Sequence, residues 1–329
     1  MWCSVVALAL VGAACGGGGG ESRDTKPIAA TSTTPPPPPV APLTGVADPS
    51  GASLGRPALT IKIDNTRDGQ PKYGIELADV VYEEIVEGDI TRLAAIYNSQ
   101  APDRVGPVRS VRLTDQSIVW PIGGIFAYSG GARYAEESIE TAPVVRLDET
   151  TAQDGMFRDH SRDAPFNLYA DTPKLFARGG TPIPPPPLFL YRDAATPVVG
   201  EPASSFVVGF KAGFDVTWTW DATTGGWNRS MFGAPEMAAS GAPLAPKNVV
   251  VLFVDYPNGT SAIGAEANLV GSGTAWVFTA GQVVKGSWAR PDKAAPAALL
   301  DAAGTEIELT PGQTWVELPK ADYPVTITP

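Results

Sequence analysis

The hydrophobic pattern predicts a first folded element over residues 59–63, a short apolar strand that stops at Asp64-Asn65. A loop to Tyr73 leads to a second strand over 80–86. Gly88-Asp89 then supplies a turn, and a third strand runs over 90–97. Glycine at the first turn position fits a two-residue type II′ hairpin. In that register Glu83, Ile85 and Glu87 share a face with Ile90, Arg92 and Ala94, because strand side chains alternate with period two. Two acids and one arginine then point the same way among apolar neighbours.

Downstream, Pro107 stands where a first helical residue belongs and predicts a helix reaching residue 119. Val108, Val111, Ile118 and Val119 give that helix an apolar side, with Arg109, Arg112 and Gln116 elsewhere on its surface. A second strand-to-helix passage follows, with a strand over 125–128, the turn Ser129-Gly130-Gly131 and a helix over 132–140. Strands alternating with helices predict a mixed α/β domain over residues 44–185.

The proline-rich stretch 182–187 is stiff and poor in backbone donors, which marks a boundary. Beyond it the pattern becomes short strands between turn residues, over 206–210, 216–220, 248–254, 275–279, 282–288, 306–309 and 314–318. Ala280-Gly281 and Pro311-Gly312 read as tight connections, and no long helical period interrupts the series. Residues 186–329 are therefore expected to form a β-rich domain, and the fold class is α+β. Trp218, Trp220, Trp227, Trp276, Trp288 and Trp315 lie in this part. Core packing and stacking on a sugar or peptide are the two readings of these indoles.

The chain begins differently. A short apolar run from Val5 to Ala14, ending in small residues, meets Cys15 and then five glycines. This is the form of a bacterial lipoprotein signal, with residues 1–14 removed and lipid attached to Cys15. No Lys or Arg precedes the run, which departs from the usual signal. Residues 15–43, rich in Gly, Ser, Thr and Pro, carry too few large apolar groups to repay ordering and are expected to be a tether. Its run Pro35 to Pro39 extends at about 3.1 Å per residue. The expected location is the extracytoplasmic face of the cell membrane, held by the lipid on Cys15.

Charge and cysteine usage narrow the chemistry. The formal net charge of -11 repels phosphate polymers, so no nucleic-acid partner is expected. Removing Cys3 with the signal and acylating Cys15 leaves a body without a thiol, which excludes disulfides, cysteine nucleophiles and cysteine zinc sites there. His160 is the single histidine. No metal and no cofactor are expected, and any metal would need oxygen ligands.

Several segments resemble the YerB-like bacterial lipoproteins. They are Lys62-Ile63-Asp64-Asn65, then Ala78-Asp79-Val80-Val81-Tyr82-Glu83, Glu87-Gly88 and Thr91-Arg92, and the specific run Arg104-Val105-Gly106-Pro107-Val108-Arg109-Ser110-Val111-Arg112. Arg162 with Ala164 to Tyr169 extends the likeness, and Asn248 to Val251, Gly281 to Trp288 and Gly312 to Val316 resemble the family's C-terminal domain. The resemblance implies a two-domain envelope lipoprotein of unassigned biochemical function and carries over no catalytic residue.

Arg109 and Arg112 in the first turns of the expected helix sit where the macrodipole disfavours positive charge, so something negative should compensate. An external phosphate or carboxylate is one answer, since guanidinium groups offer a bidentate fork. An internal network with Glu83, Glu87 or Asp64 is the other. Paired acids among Glu83, Glu84, Glu87 and Asp64 also suit glycoside cleavage, which makes a cell-wall hydrolase or transferase the alternative function. Ser129 with His160 is a weak hydrolase pair, because Ala127-Tyr128-Ser129-Gly130-Gly131 lacks the first glycine of the nucleophile elbow. The polar segment 157–169, with His160, Arg162 and Asn167, suits either a cleft or a loop held by ion pairs. The leading expectation is a binding or scaffold module for a polar or anionic envelope component, such as a cell-wall fragment or an envelope protein. Arg104, Arg109 and Arg112 would supply the charge, and Glu83, Glu87 and Arg92 would orient them. Mass spectrometry of the mature chain is expected to find Cys15 at its start and lipidated. A chain that keeps residues 1–14 and carries no lipid overturns the assignment.

Overall fold

The computed structural model describes residues 38–329, apart from 194, 212 and 261–263. The expected signal, Cys15 and most of the expected tether lie outside the described residues. The last residues assigned to that tether belong to the folded body: Val40 bridges Ala47, Leu43 is fully buried, and the Tyr191 hydroxyl donates to the Leu43 carbonyl.

The N-terminal segment contributes β1 (Leu59–Asp64), β2 (Val80–Ile85), β3 (Thr91–Tyr97), β4 (Ile125–Ala127), β5 (Val145–Leu147), β6 (Met156–Arg158) and β7 (Leu168–Ala170). Its helices are short: α1 (Leu113–Val119), α2 (Arg133–Ile139) and α3 (Thr172–Phe176). The strands after the proline boundary are β8 (Leu190–Tyr191), β9 (Glu201–Pro202), β10 (Ser205–Val208), β11 (Val216–Asp221), β12 (Gly226–Met231) and β13 (Ala234–Pro235). They continue with β14 (Asn248–Leu252), β15 (Gly271–Thr279), β16 (Gln282–Arg290), β17 (Ala298–Asp301), β18 (Glu308–Leu309), β19 (Thr314–Leu318) and β20 (Val325–Thr328). The described chain is thus mostly strand. The C-terminal segment is β-rich as expected, but the N-terminal one is not clearly mixed α/β.

One expected helix accounts for much of that correction. Pro107 opens no helix, because the backbone groups of residues 105–109 are spent on tertiary pairing. Asp64 N–H donates to Pro107 O (2.9 Å), Arg109 N–H to Lys62 O (2.9 Å) and Val108 N–H to Leu168 O (2.8 Å). The segment runs extended beside β1 just past the point where β4 stops pairing with it. A propensity of a few tenths of a kcal/mol per residue does not outweigh such bonds at ~1 kcal/mol each. The helix starts only at Leu113.

The hairpin is also corrected. Val86 N–H donates to Ile90 O (2.8 Å), so the loop has three residues, Glu87-Gly88-Asp89, with Gly88 and Asp89 at φ 79 and 57. Arg92 consequently faces Glu84, and Glu83 faces Leu93. A shift of one position moves each side chain to the other face of the sheet.

Eleven strands form a single sheet in the order β17-β16-β15-β14-β19-β2-β3-β1-β4-β5, with β9 added on β16. β19 lies parallel between β14 and β2, pairing Trp315 with Val81 and Glu317 with Glu83, so the sheet runs unbroken across the proline boundary. A second sheet, β13-β12-β11-β10-β20, packs on one face of the first. Trp218 meets Trp315 edge-on at 5.5 Å between ring centroids, and Phe206 stacks on Phe278. Trp218, Trp227 and Trp315 are fully buried there. Helix α1 lies against the opposite face, where the Ala267 N–H donates to the Thr114 hydroxyl (2.9 Å) and Arg290 donates to the Ser117 carbonyl (2.8 Å).

Since β19 belongs to both halves of the sheet, neither half can lose it and keep its core. Calorimetry of the full-length protein is expected to give one cooperative unfolding transition. Two resolved transitions would show that the halves fold independently.

Candidate functional site

The ends of β1, β2 and β3 gather charge on both faces of the central sheet. On the α1 face, Lys62 reaches between two acids, forming ion pairs with Glu84 and with Asp115 (2.7 Å), and all three side chains are buried. One ammonium cannot neutralise two buried carboxylates. Asp115 has a second donor in the Arg112 backbone N–H at 2.7 Å. Burial pushes the Glu84 carboxyl up, against the pull of Lys62, so Glu84 is the member that retains a proton toward neutral pH.

At the edge of the same face, Asp64 is buried and receives two arginines. Arg92 Nη1 donates at 2.5 Å and Arg109 Nε forms an ion pair at 2.7 Å, both on Oδ2. The Asp64 Oδ1 accepts the Thr66 N–H at 2.7 Å. Burial lowers the Arg92 guanidinium to about 10, opposed by Asp64, and it stays charged at neutral pH. Arg112, the residue that precedes α1, donates through Nε to Glu87 Oε2 (2.6 Å), and the Tyr134 hydroxyl donates to Glu87 Oε1 (2.9 Å). Burial alone would raise the Glu87 carboxyl, but the Arg112 charge and these donors hold it below the usual range.

Around this rim the remaining expected residues hold loops together. Arg104 is clamped between the Tyr73 and Tyr169 rings, 3.9 Å from each centroid, and pairs with Asp159 at 2.5 Å. The Ser161 hydroxyl and N–H, then Arg104, hold Asp159 well below the usual carboxylate range. Arg162 donates to the Tyr169 hydroxyl (3.0 Å) and to the carbonyls of Asp68 (2.8 Å) and Gln70 (3.0 Å). Asn167 accepts from Arg158 at 2.8 Å, and His160 is exposed in its loop. The Ser129 hydroxyl donates to Glu149 at 3.0 Å.

Glu83 lies apart from this group. It projects from the opposite face, between the two sheets, where Arg229 donates to it at 2.5 Å and Asn65 at 2.8 Å. Arg229 also pairs with Glu236, which pairs with Lys72. Beside Glu83, Glu317 accepts the Trp218 indole N–H at 3.2 Å. Burial, then the charge of Glu83, raises the Glu317 carboxyl well above its ordinary range. Glu83 and Glu84 are thus buried on opposite faces and cannot flank one glycosidic bond. Among the described residues, no three acidic, histidine or cysteine side chains are placed to hold a metal ion.

Of the expected residues, the structure brings Asp64, Arg92 and Arg109 together, with Arg112 and Glu87 as a second pair. It removes Glu83 to another cluster. Lys62, Lys72, Asp115, Arg229, Glu236 and Glu317 were not anticipated. For Lys62 and Glu317 the signal was a charged residue within an apolar strand, in Thr60-Ile61-Lys62-Ile63 and Trp315-Val316-Glu317-Leu318; the other four carry no such local signal. In a strand buried on both faces, such a residue requires a partner.

The family described as protein of unknown function (DUF3048) matches the chain twice, its N-terminal domain over residues 43–181 and its C-terminal domain over 206–316. The chain is 25% identical over 293 residues to YerB of Bacillus subtilis (strain 168), which is provisionally named a lipoprotein, covering 84% of this chain and 85% of that protein. The crystal structure of the Bacillus subtilis YerB protein superposes with a TM-score of 0.76 at 22% identity, over 88% of this chain and 100% of that one. That likeness is one of fold.

The raised carboxyls set a pH dependence. An acid whose folded pKa exceeds its unfolded value binds more protons when folded, so its own contribution to stability is most favourable at low pH and falls as pH rises from the ordinary glutamate range toward neutrality. Glu84→Gln and Glu317→Gln are expected to flatten that decline in urea midpoints between about pH 5 and 8. An unchanged slope in both variants counts against proton retention at these sites.

Proposed function

Because both segments of this chain belong to the DUF3048 family of proteins of unknown function, the reading must rest on the site itself, and we propose a lipid-anchored extracytoplasmic module that binds a polar or anionic envelope component. Support for the anchor comes from the signal at Cys15 and from a relative provisionally named a lipoprotein. Among the described residues, no helix is long and apolar enough to cross a membrane.

The observation that carries the binding reading is the convergence of Arg92 and Arg109 on the single carboxylate of Asp64. Two positive charges against one negative leave a local surplus. Arg92 is buried, but the Arg109 side chain keeps 19% of its surface in solvent. Of its five N–H donors, Nη1 reaches the Pro165 carbonyl at 3.3 Å and Nε lies 2.7 Å from Asp64 Oδ2 as an ion pair, which leaves donors for a ligand. Phe166, with its ring centroid 5.3 Å from the guanidinium carbon, helps to fix the group in place. On a body of net charge -11, such a rim selects where a phosphate or carboxylate can settle.

Asp64 anchors the arginines, so the exposed one can be removed with less damage than the buried one. Arg109→Ala in the vesicle-anchored full chain is expected to weaken binding of an anionic cell-wall fragment about tenfold, the equivalent of one charge-assisted bond, with affinity falling as salt rises. Calorimetry would show a chain that still unfolds cooperatively. A variant that loses its fold while wild-type protein shows no affinity for the fragment makes the arginines structural.

A further inference from the structure

The indoles of the C-terminal segment divide by exposure. Trp218, Trp227 and Trp315 are wholly buried, and Trp288 is nearly so, with its N–H donating to the Phe253 carbonyl at 3.2 Å. Trp276 is half-buried and packs edge to face with the half-buried Phe253, centroids 5.2 Å apart at 70°. Core packing explains the first four; Trp276 stays partly accessible, with the Lys285 ammonium 5.5 Å from its ring centroid.

Register explains why Trp276 is not fully covered. β14 ends at Leu252, paired with Ala275, while β15 begins at Gly271 and continues to pair only with β16 over its first residues. Along β15, Thr274 and Trp276 point to the same side, the side on which the second sheet packs farther along. There β20 and the turn before it bring Val325 and Tyr323 across. The result is an open groove of about 470 Å³ with Trp276, Phe253 and Tyr323 among its aromatic parts and Asp255, Asn268 and Thr274 among its polar ones. The three polar residues are exposed. That volume falls in the range of roughly 300–1,000 Å³ typical of small-ligand sites.

We infer that this groove binds an uncharged glycan segment. A pyranose ring has an apolar face of C–H groups and a rim of hydroxyls. An aromatic face accepts the first, while a carboxylate, an amide and a hydroxyl exchange hydrogen bonds with the second. Asp255 and the acidic body oppose an anionic polymer. An added peptide strand would need open backbone groups, but the Thr274 carbonyl already accepts the Phe253 N–H at 3.0 Å, and Val254 bridges Lys320. The groove therefore presents side chains more than backbone. It shares no residue with the arginine rim, and the inference does not depend on the anionic ligand proposed there.

Isothermal titration of the full-length, vesicle-anchored protein with chitotetraose, an uncharged amino-sugar oligomer, tests the inference. Wild-type protein is expected to bind, Trp276→Ala to lose about tenfold or more in affinity, and Trp276→Phe to recover most of it. Arg109→Ala should bind the sugar as wild type does. If Trp276→Ala does not fold, the exposed Asp255→Ala substitution decides in its place, with weaker binding supporting the groove and equal binding overturning it. Absence of binding to chitotetraose and to a maltose oligomer overturns the inference. Binding of an uncharged peptide at Trp276 in place of either sugar does so as well.

Discussion

The buried pair of Arg229 and Glu83 is the constraint on which the rest of the fold depends. It joins the second sheet to the middle of the central one, and both side chains are shielded from water. Breaking one half of such a pair leaves a charge in a medium that cannot solvate it, at a cost of about 3–5 kcal/mol. Any slip of β12 against β2 would do so. Glu236, Lys72 and Asn65 complete the set of partners, and Glu317, whose carboxyl is raised by burial and by Glu83, accepts the Trp218 indole N–H beside them. The pair contributes less to net stability than to uniqueness of register, since two apolar side chains of similar size would pack there without a desolvation cost.

That register decides what each face of the central sheet carries. With Glu83 turned toward Arg229, Glu84 must turn toward Lys62 and α1, and Asp64 and Arg92 line up at the same edge. The extended run 105–109 then lies alongside β1 and delivers Arg109 to Asp64. Charged residues that read as one group along the chain are thereby sorted into a buried inter-sheet cluster, a buried cluster beneath α1 and a partly exposed rim. Only the rim faces solvent.

The two surfaces proposed as binding sites differ in chemistry as well as place. The rim is cationic and held by the buried Asp64 and the half-buried Glu87, which suits a phosphate or carboxylate. The groove is aromatic and weakly acidic, which suits an uncharged, hydroxyl-rich chain. A module tethered to a membrane and carrying both would hold a composite envelope polymer at two points, and linkage would raise its effective concentration at the second point once the first is occupied.

Much of this was legible in the amino-acid order. Strand positions followed from apolar runs and turn residues: the strands at 59–64 and 314–318 stand within one residue of expectation, and Ala280-Gly281 does form the tight turn. The lipoprotein family was legible from local wording, above all Gly106-Pro107-Val108-Arg109-Ser110-Val111-Arg112. Three things were not. The loop of three residues instead of two exchanged the faces of Glu83 and Glu84, and loop length is invisible to a period-two pattern. Pro107 carried a helix-start signal that pairing with β1 and Leu168 overruled, because local propensity is weak against several backbone hydrogen bonds. Parallel pairing of β19 with β2 joins residues more than two hundred positions apart, and no local signal encodes it. The amino-acid order by itself determined which segments become strands and which charges need partners; only the tertiary structure decided which partners they find, because an ion pair depends on register and face, and both are set by contacts between distant strands.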